Sequence, residues 1–179
     1  AFRYIALRYF NVAGARFDNR LGQATPEATH LIKVACETAL GKRDSLAIFG
    51  TDYDTPDGTC IRDYIHVEDL ATAHIDALQY LADGGPSETL NCGYGRGYSV
   101  REVLAAVRSV SGVNFSITEV ARRPGDSPQL IADNQRICQV LGWLPQHDDL
   151  KEICRTAWEW ERHYQDSHDD GPSNKTRVD

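Results

Sequence analysis

Apolar residues along this chain alternate between two patterns, short unbroken runs and longer stretches repeating every three or four positions. "YIALRYF" at 4–10 and "LAIFG" at 46–50 read as buried strands, and "ETLNCG" at 88–93 as another. Thr25 and Pro26 read as the N-cap and first helical position of a helix. Leu31, Val34, Ala35, Ala39 and Leu40 lie on one face of that helix, and Gly41 is its stop. A strand follows across 61–67, then a helix from about Glu68 to Ala82. Leu70, Ala73, Ala77, Leu78 and Leu81 point inward from it, and Gly84-Gly85 closes it. Ser99 and Glu102 have the spacing of a capping box before Val103, Leu104, Val107 and Val110. "VNFSITEV" at 113–120 alternates as a strand does. A short helix is expected around Gln135–Leu141 and a longer one from about Asp148 to Tyr164, with a polar tail over 165–179. Strands alternating with helices predict an α/β fold with parallel pairs.

Between these elements lie two polar excursions, "TDYDTPDGT" at 51–59 and "ARRPGDSPQ" at 121–129. The formal net charge of −7 argues against nucleic acid and against an anionic membrane surface. No apolar run approaches membrane-spanning length. Five cysteines (Cys36, Cys60, Cys92, Cys138 and Cys154) without a C-x-x-C pair suit a reducing compartment, so a cytoplasmic protein with buried thiols is expected. The chain opens on what reads as the inside of a strand, so a fragment is expected.

Candidate chemistry is sparse. "GYGRG" at 93–97 sits between a strand and a helix, but its spacing is G-x-G-x-G, and the Ser99–Glu102 box already claims the first helix amides; a turn and cap is the favoured reading. No histidine or cysteine pair has metal-ligand spacing, and no Gly-x-Ser-x-Gly elbow offers a nucleophile. The arginines are more informative. Arg62, Arg122 and Arg123 stand at strand ends or in loops, and guanidinium forks match phosphate oxygens. Residue patterns alone leave Arg62 open between an internal carboxylate and an outside anion, Asp126 between ribose hydroxyls and a turn, and Phe49 between a base and the core.

Taken together, "LRYFNVAGA", "LAIFGTDYDTPDGTCIRDYIHVEDLATAH", "LNCGYGRGYSVREV" and "RRPGDSP" resemble the C-terminal part of UDP-glucose 4-epimerases, members of the extended short-chain dehydrogenase/reductase group, from about Leu7 to Trp160. The D-Y-x-T-x-D-G-T-x-x-R-D-Y-I-H-V stretch is close to a signature of that branch. The resemblance implies the end of a truncated NAD-binding Rossmann region at 1–14, a UDP-sugar-binding region with returning Rossmann elements at 15–164, and the tail beyond. It implies NAD as cofactor, UDP-glucose and UDP-galactose as substrates, a homodimeric parent, and epimerisation through a 4-keto intermediate. Neither the Gly-rich NAD loop nor the Tyr-x-x-x-Lys pair occurs here, so no catalytic residue is expected in this chain. By the same resemblance Asn11 holds a substrate phosphate and Tyr9 lies near the nicotinamide. Leu31, Ala47 and Phe49 line the uracil pocket, Arg62 and Arg123 clamp the diphosphate, and Asp126 holds the ribose. Asp63 is expected to be structural. His30 stands where many relatives carry Asn. Leu130 stands where a bulky Tyr in some relatives excludes N-acetylated sugars and a small residue in others admits them; Leu is intermediate, which leaves sugar breadth open, and a UDP-N-acetylglucosamine 4-epimerase is the alternative parent. For the isolated chain the alternative is a non-catalytic UDP-sugar-binding fragment.

Overall fold

The computed structural model describes residues 2–169. An extended run at the start breaks at Phe10 into β1 (Ile5–Tyr9) and β2 (Asn11–Ala13). A loop leads to α1 (Leu31–Ala39) and β3 (Leu46–Phe49). After the 51–59 excursion come β4 (Ile61–Arg62), β5 (Tyr64–His66) and α2 (Val67–Ala82). Then follow β6 (Glu88–Cys92), β7 (Tyr98–Ser99) and α3 (Val100–Ser111). The order closes with β8 (Ile117–Val120), β9 (Gln129–Leu130), α4 (Gln135–Leu141) and α5 (Leu150–Asp169).

Three parallel pairs form, β1 with β6, β2 with β5 and β3 with β8, while β4 lies between antiparallel β7 and parallel β9. Parallel partners need crossovers, and α2 supplies one between β5 and β6. The core gathers Ile32 and Cys36 of α1, Leu46 and Ile48 of β3, Leu104 and Val107 of α3 and Ile153 of α5, with Trp143 fully buried behind α4. All five cysteines are free thiols, and four of them are buried.

The predicted strand at 61–67 divides at Asp63 into strands belonging to different sheets. The Asp63 carboxylate, fully buried, accepts backbone N–H groups from Tyr94 (3.1 Å), Gly95 (3.0 Å) and Ala132 (3.2 Å). One charged side chain thus gathers three chain segments at the branch point. It also consumes two amides of the glycine-rich 93–97 turn, which are therefore not directed at a phosphate. The capping box forms as expected: the Ser99 hydroxyl accepts from Glu102 N (3.0 Å) and the Glu102 carboxylate accepts from Ser99 N (2.7 Å).

Four local expectations change. The first helix begins at Leu31 with His30 as N-cap, not at Thr25-Pro26, because Glu27 takes φ +52° and turns Ala28 into the interior. Leu78, expected inward, is 69% exposed: the buried stripe of α2 is Leu70, Ala73 and Ala77, and Leu78 is rotated off it, beside exposed Ile75. In the 113–120 stretch only Ile117–Val120 pairs as a strand, while Phe115 is buried under the Arg108 guanidinium, 5.1 Å from its ring centroid. The last helix runs on to Asp169, so 165–169 is helical rather than tail, and the expectation for 170–179 lies outside the described residues.

Candidate functional site

A cleft of about 1030 Å³ opens between the N-terminus of α1, β3, β4 and the 121–128 loop. Seven of the eight candidate substrate residues line it: Asn11, Leu31, Ala47, Phe49, Arg62, Arg123 and Asp126. They come from five separate stretches, so only the tertiary fold brings them together. Leu130 lines neither this cleft nor its neighbour. It sits on β9 in register with Arg62, and its side chain is 47% exposed. Tyr9 lies outside the cleft and borders a smaller adjoining cavity of about 310 Å³, with its ring half-exposed and 6.2 Å from that of His74. Asn11, His30, Leu31 and Tyr64 wall both cavities.

The neighbouring residues Arg62 and Asp63 divide their roles. Arg62 ignores the adjacent carboxylate: its Nη1 donates to the Ile61 carbonyl (2.8 Å) and its Nη2 reaches Asp126 Oδ1 at 3.4 Å. That contact is long for a charge-assisted bond, and the Asp126 side chain is 35% exposed, so the pair holds weakly. Phe49 is cleft wall rather than core, 36% exposed, and the Arg123 guanidinium lies 3.7 Å from its ring centroid. Arg62, Arg123 and Asp126 therefore face a single concavity, whose wall also carries Glu27, Glu37, Lys42 and Arg43. Arg122, the third arginine considered, turns away: its Nε donates to Asp52 Oδ1 (2.6 Å) and its guanidinium lies 4.1 Å from the Tyr53 ring centroid.

Behind the cleft, α1 is tied to α5. Lys33, 8% exposed, pairs with the Glu161 carboxylate, which is 2% exposed and also takes Lys42 (2.8 Å). Glu37 receives Arg43 Nε (2.6 Å), and Arg43 also donates to the Ala28 carbonyl (3.0 Å). Lys42 and Arg43 line the cleft, yet both are engaged in these pairs. His30, which caps α1 without a side-chain bond to its amides, contacts Gln23 Nε2 through Nδ1 (2.9 Å).

Cys60 and Tyr64 are among the lining residues that the sequence did not single out as candidates. A signal for them exists. Cys60, Arg62 and Tyr64 alternate with period two and present one face to the cleft, so a candidate at Arg62 implicates its i±2 neighbours. Both are buried, and burial pushes the Tyr64 phenol above its ordinary range.

An α/β chain of parallel pairs with a cleft at its strand ends has the layout of the open α/β folds that bind their ligands there. The sequence profile of the NAD dependent epimerase/dehydratase family matches residues 1–93, and the chain belongs to that family. It is 62% identical over 165 residues to the UDP-glucose 4-epimerase of Azospirillum brasilense, an alignment covering 92% of this chain and 47% of the relative. Its fold matches the UDP-glucose 4-epimerase of Stenotrophomonas maltophila, crystallised with NAD and formylated UDP-arabinopyranose. The TM-score is 0.89 at 39% identity, over 93% of this chain and 49% of the other. It also matches the UDP-Glc/GlcNAc 4-epimerase of Campylobacter jejuni, with a TM-score of 0.76 at 54% identity, over 90% and 49%. The chain spans about half the length of the relatives it matches. Among the described residues no helix is long and apolar enough to cross a membrane.

Proposed function

We propose that this chain is the UDP-gripping half of an NAD-dependent UDP-glucose 4-epimerase, acting on UDP-glucose and UDP-galactose in a homodimeric cytoplasmic parent. The observation that carries this reading is the convergence of Arg62, Arg123 and Asp126 with Asn11, Leu31, Ala47 and Phe49 on one cleft. Arg62 and Arg123 take the diphosphate, Asp126 takes the ribose, and the β3 segment with Leu31 encloses the uracil. Asn11 holds the phosphate nearest the sugar. Its amide Nδ2 donates to the Asp63 carbonyl (3.2 Å), which keeps its carbonyl oxygen and position defined at the junction of the two cavities.

A 4-epimerase presents both faces of its sugar ring in turn, so ground-state affinity belongs on the nucleotide, which does not react. Two charge-assisted clamps and a base pocket suit that requirement. NAD supplies the acceptor and donor of the hydride. Towards it this chain would offer the half-exposed ring of Tyr9, and the Gly-rich loop and the Tyr-x-x-x-Lys pair do not occur in its sequence. The isolated chain therefore binds UDP and does not turn over UDP-galactose. Calorimetric titration with UDP tests the first half, where absence of heat refutes it. Incubation with NAD and UDP-galactose tests the second, where formation of UDP-glucose refutes it.

A second parent, a UDP-N-acetylglucosamine 4-epimerase, is favoured by one observation. Leu130 is smaller than the Tyr that excludes N-acetylated sugars in some relatives, and it is 47% exposed, so it raises a lower wall against an N-acetyl group. Assaying the full-length parent with both sugars separates the two.

A further inference from the structure

The polar excursion 51–59 is the most distinctive stretch of the sequence, yet none of its residues lines the cleft. It is a closed, internally bonded loop. Tyr53 N donates to the Gly58 carbonyl (2.9 Å), and Thr55 Oγ1 donates to the Thr59 carbonyl (2.8 Å). Asp57 Oδ1 accepts from Thr59 N (2.9 Å) and Thr59 Oγ1 (2.7 Å). Its other oxygen accepts from the Ser99 hydroxyl (2.5 Å), which pins the excursion to the N-terminus of α3. Gly58 takes φ +79°, and a Cβ there would lie 2.1 Å from the Thr51 carbonyl oxygen, so the turn closes only around glycine.

The outer side of this loop is where Arg122 is held. Its Nε donates to Asp52 Oδ1 (2.6 Å), its Nη2 donates to the Asp52 carbonyl, and its guanidinium covers buried Tyr53 at 4.1 Å. Gly50 leaves the space for that stack, since a Cβ there would meet Tyr53 at 2.5 Å and Arg122 at 2.6 Å. The 121–128 loop is exposed throughout, and its other side-chain anchors reach into the cleft, Arg123 on Phe49 and Asp126 on Arg62. A ligand that takes both of those groups leaves the Arg122 tether in place.

We infer that residues 51–59 form a rigid seat for the 121–128 loop, and that Arg122 is a positioning residue setting Arg123 and Asp126 over the cleft. This rests on the reading of that cleft as a nucleotide site. An exposed ion pair adds little to global stability. Its consequence is local: a loop already ordered before binding need not be ordered by the ligand.

The test has two independent readouts on the full 179-residue chain. Trypsin cuts after Arg122, and Asp52→Ala is expected to speed that cut with the global unfolding midpoint unchanged, because cleavage follows local opening. In calorimetry the same variant is expected to weaken UDP about tenfold, the scale of ordering two long side chains on binding. Asp52→Glu, which keeps a carboxylate for Arg122 and leaves the Tyr53 stack in place, is expected to retain most of the affinity. Arg62→Ala is the control for the site itself. If Arg62→Ala weakens UDP and Asp52→Ala changes neither readout, the seat is overturned. If Arg62→Ala leaves UDP affinity unchanged, the nucleotide reading and the positioning role fall together, while faster cleavage of Asp52→Ala still identifies the tether.

Discussion

Arg62 and Asp63 are adjacent, and the structure predicts opposite consequences for their removal. Asp63→Asn preserves size but replaces one acceptor oxygen with a donor. In the better amide orientation, the single oxygen keeps Gly95 N and Ala132 N, both of which bond Oδ2 in the native carboxylate. The new NH₂ then confronts Tyr94 N–H, whose bond to Oδ1 is 3.1 Å long in the native fold. One charge-assisted bond is lost, a buried donor is left unpaired and the two surviving bonds lose their charge, for a destabilisation of about 3 kcal/mol. Arg62→Ala removes only the 3.4 Å contact to a partly exposed carboxylate and a bond to its own neighbour's carbonyl, so it costs roughly 0.5 kcal/mol in stability. Its UDP affinity is expected to fall by about 1.5–3 kcal/mol, the range for a hydrogen bond to a charged group. Urea unfolding of both variants, paired with UDP titration by calorimetry, reads the two effects separately. A loss of less than about 1 kcal/mol for Asp63→Asn would refute the branch-point role. Unchanged UDP affinity for Arg62→Ala would refute the anion clamp.

Two further predictions follow from buried charge. His66 is fully buried, accepts Glu68 N–H through Nδ1 (3.1 Å) and meets Thr156 Oγ1 through Nε2 (3.1 Å). Burial, reinforced by neighbouring His147, holds its imidazole below the ordinary range. Below about pH 6.5 the unfolded chain takes up a proton that the folded one refuses, so stability falls as pH drops through that value towards the lowered folded one. Unfolding free energies at several pH values should therefore slope downward on acidification, and His66→Gln should reduce the slope whatever it does to the absolute level; an equal slope contradicts the assignment. Lys33→Met leaves Glu161 buried with Lys42 alone and is expected to cost roughly 3 kcal/mol, whereas Lys33→Met with Glu161→Leu should recover much of it. If the double variant unfolds as readily as the single one, the loss comes from packing rather than from an orphaned charge.

Features encoded within a few residues were readable in advance. The Ser99–Glu102 cap, the Gly41 stop at φ +75° and the alternation of strands with helices depend on neighbours along the chain, and they formed as expected. The start of α1 was misplaced because Thr25-Pro26 satisfies a local rule, while the path through Ala28 answers to Arg43 and the interior. Arg62 is expected as an anion ligand by resemblance, but the pattern could not name Asp126, 64 positions away, as its resting partner. Cys60 and Tyr64 were visible in principle through the period-two alternation about Arg62.

From the sequence alone came the element types and the family resemblance, with the clamping residues that the resemblance proposes, because backbone preference and side-chain chemistry are properties of short stretches. Tertiary structure decided which strands pair, where the 61–67 run divides and that seven residues from five stretches share one cleft. It also gave Arg122 to Asp52 and Arg123 to the cleft, although the two arginines are neighbours with the same charge. Such choices depend on contacts between segments far apart in the chain. Their free energies exist only once the chain has closed, and no local pattern carries them.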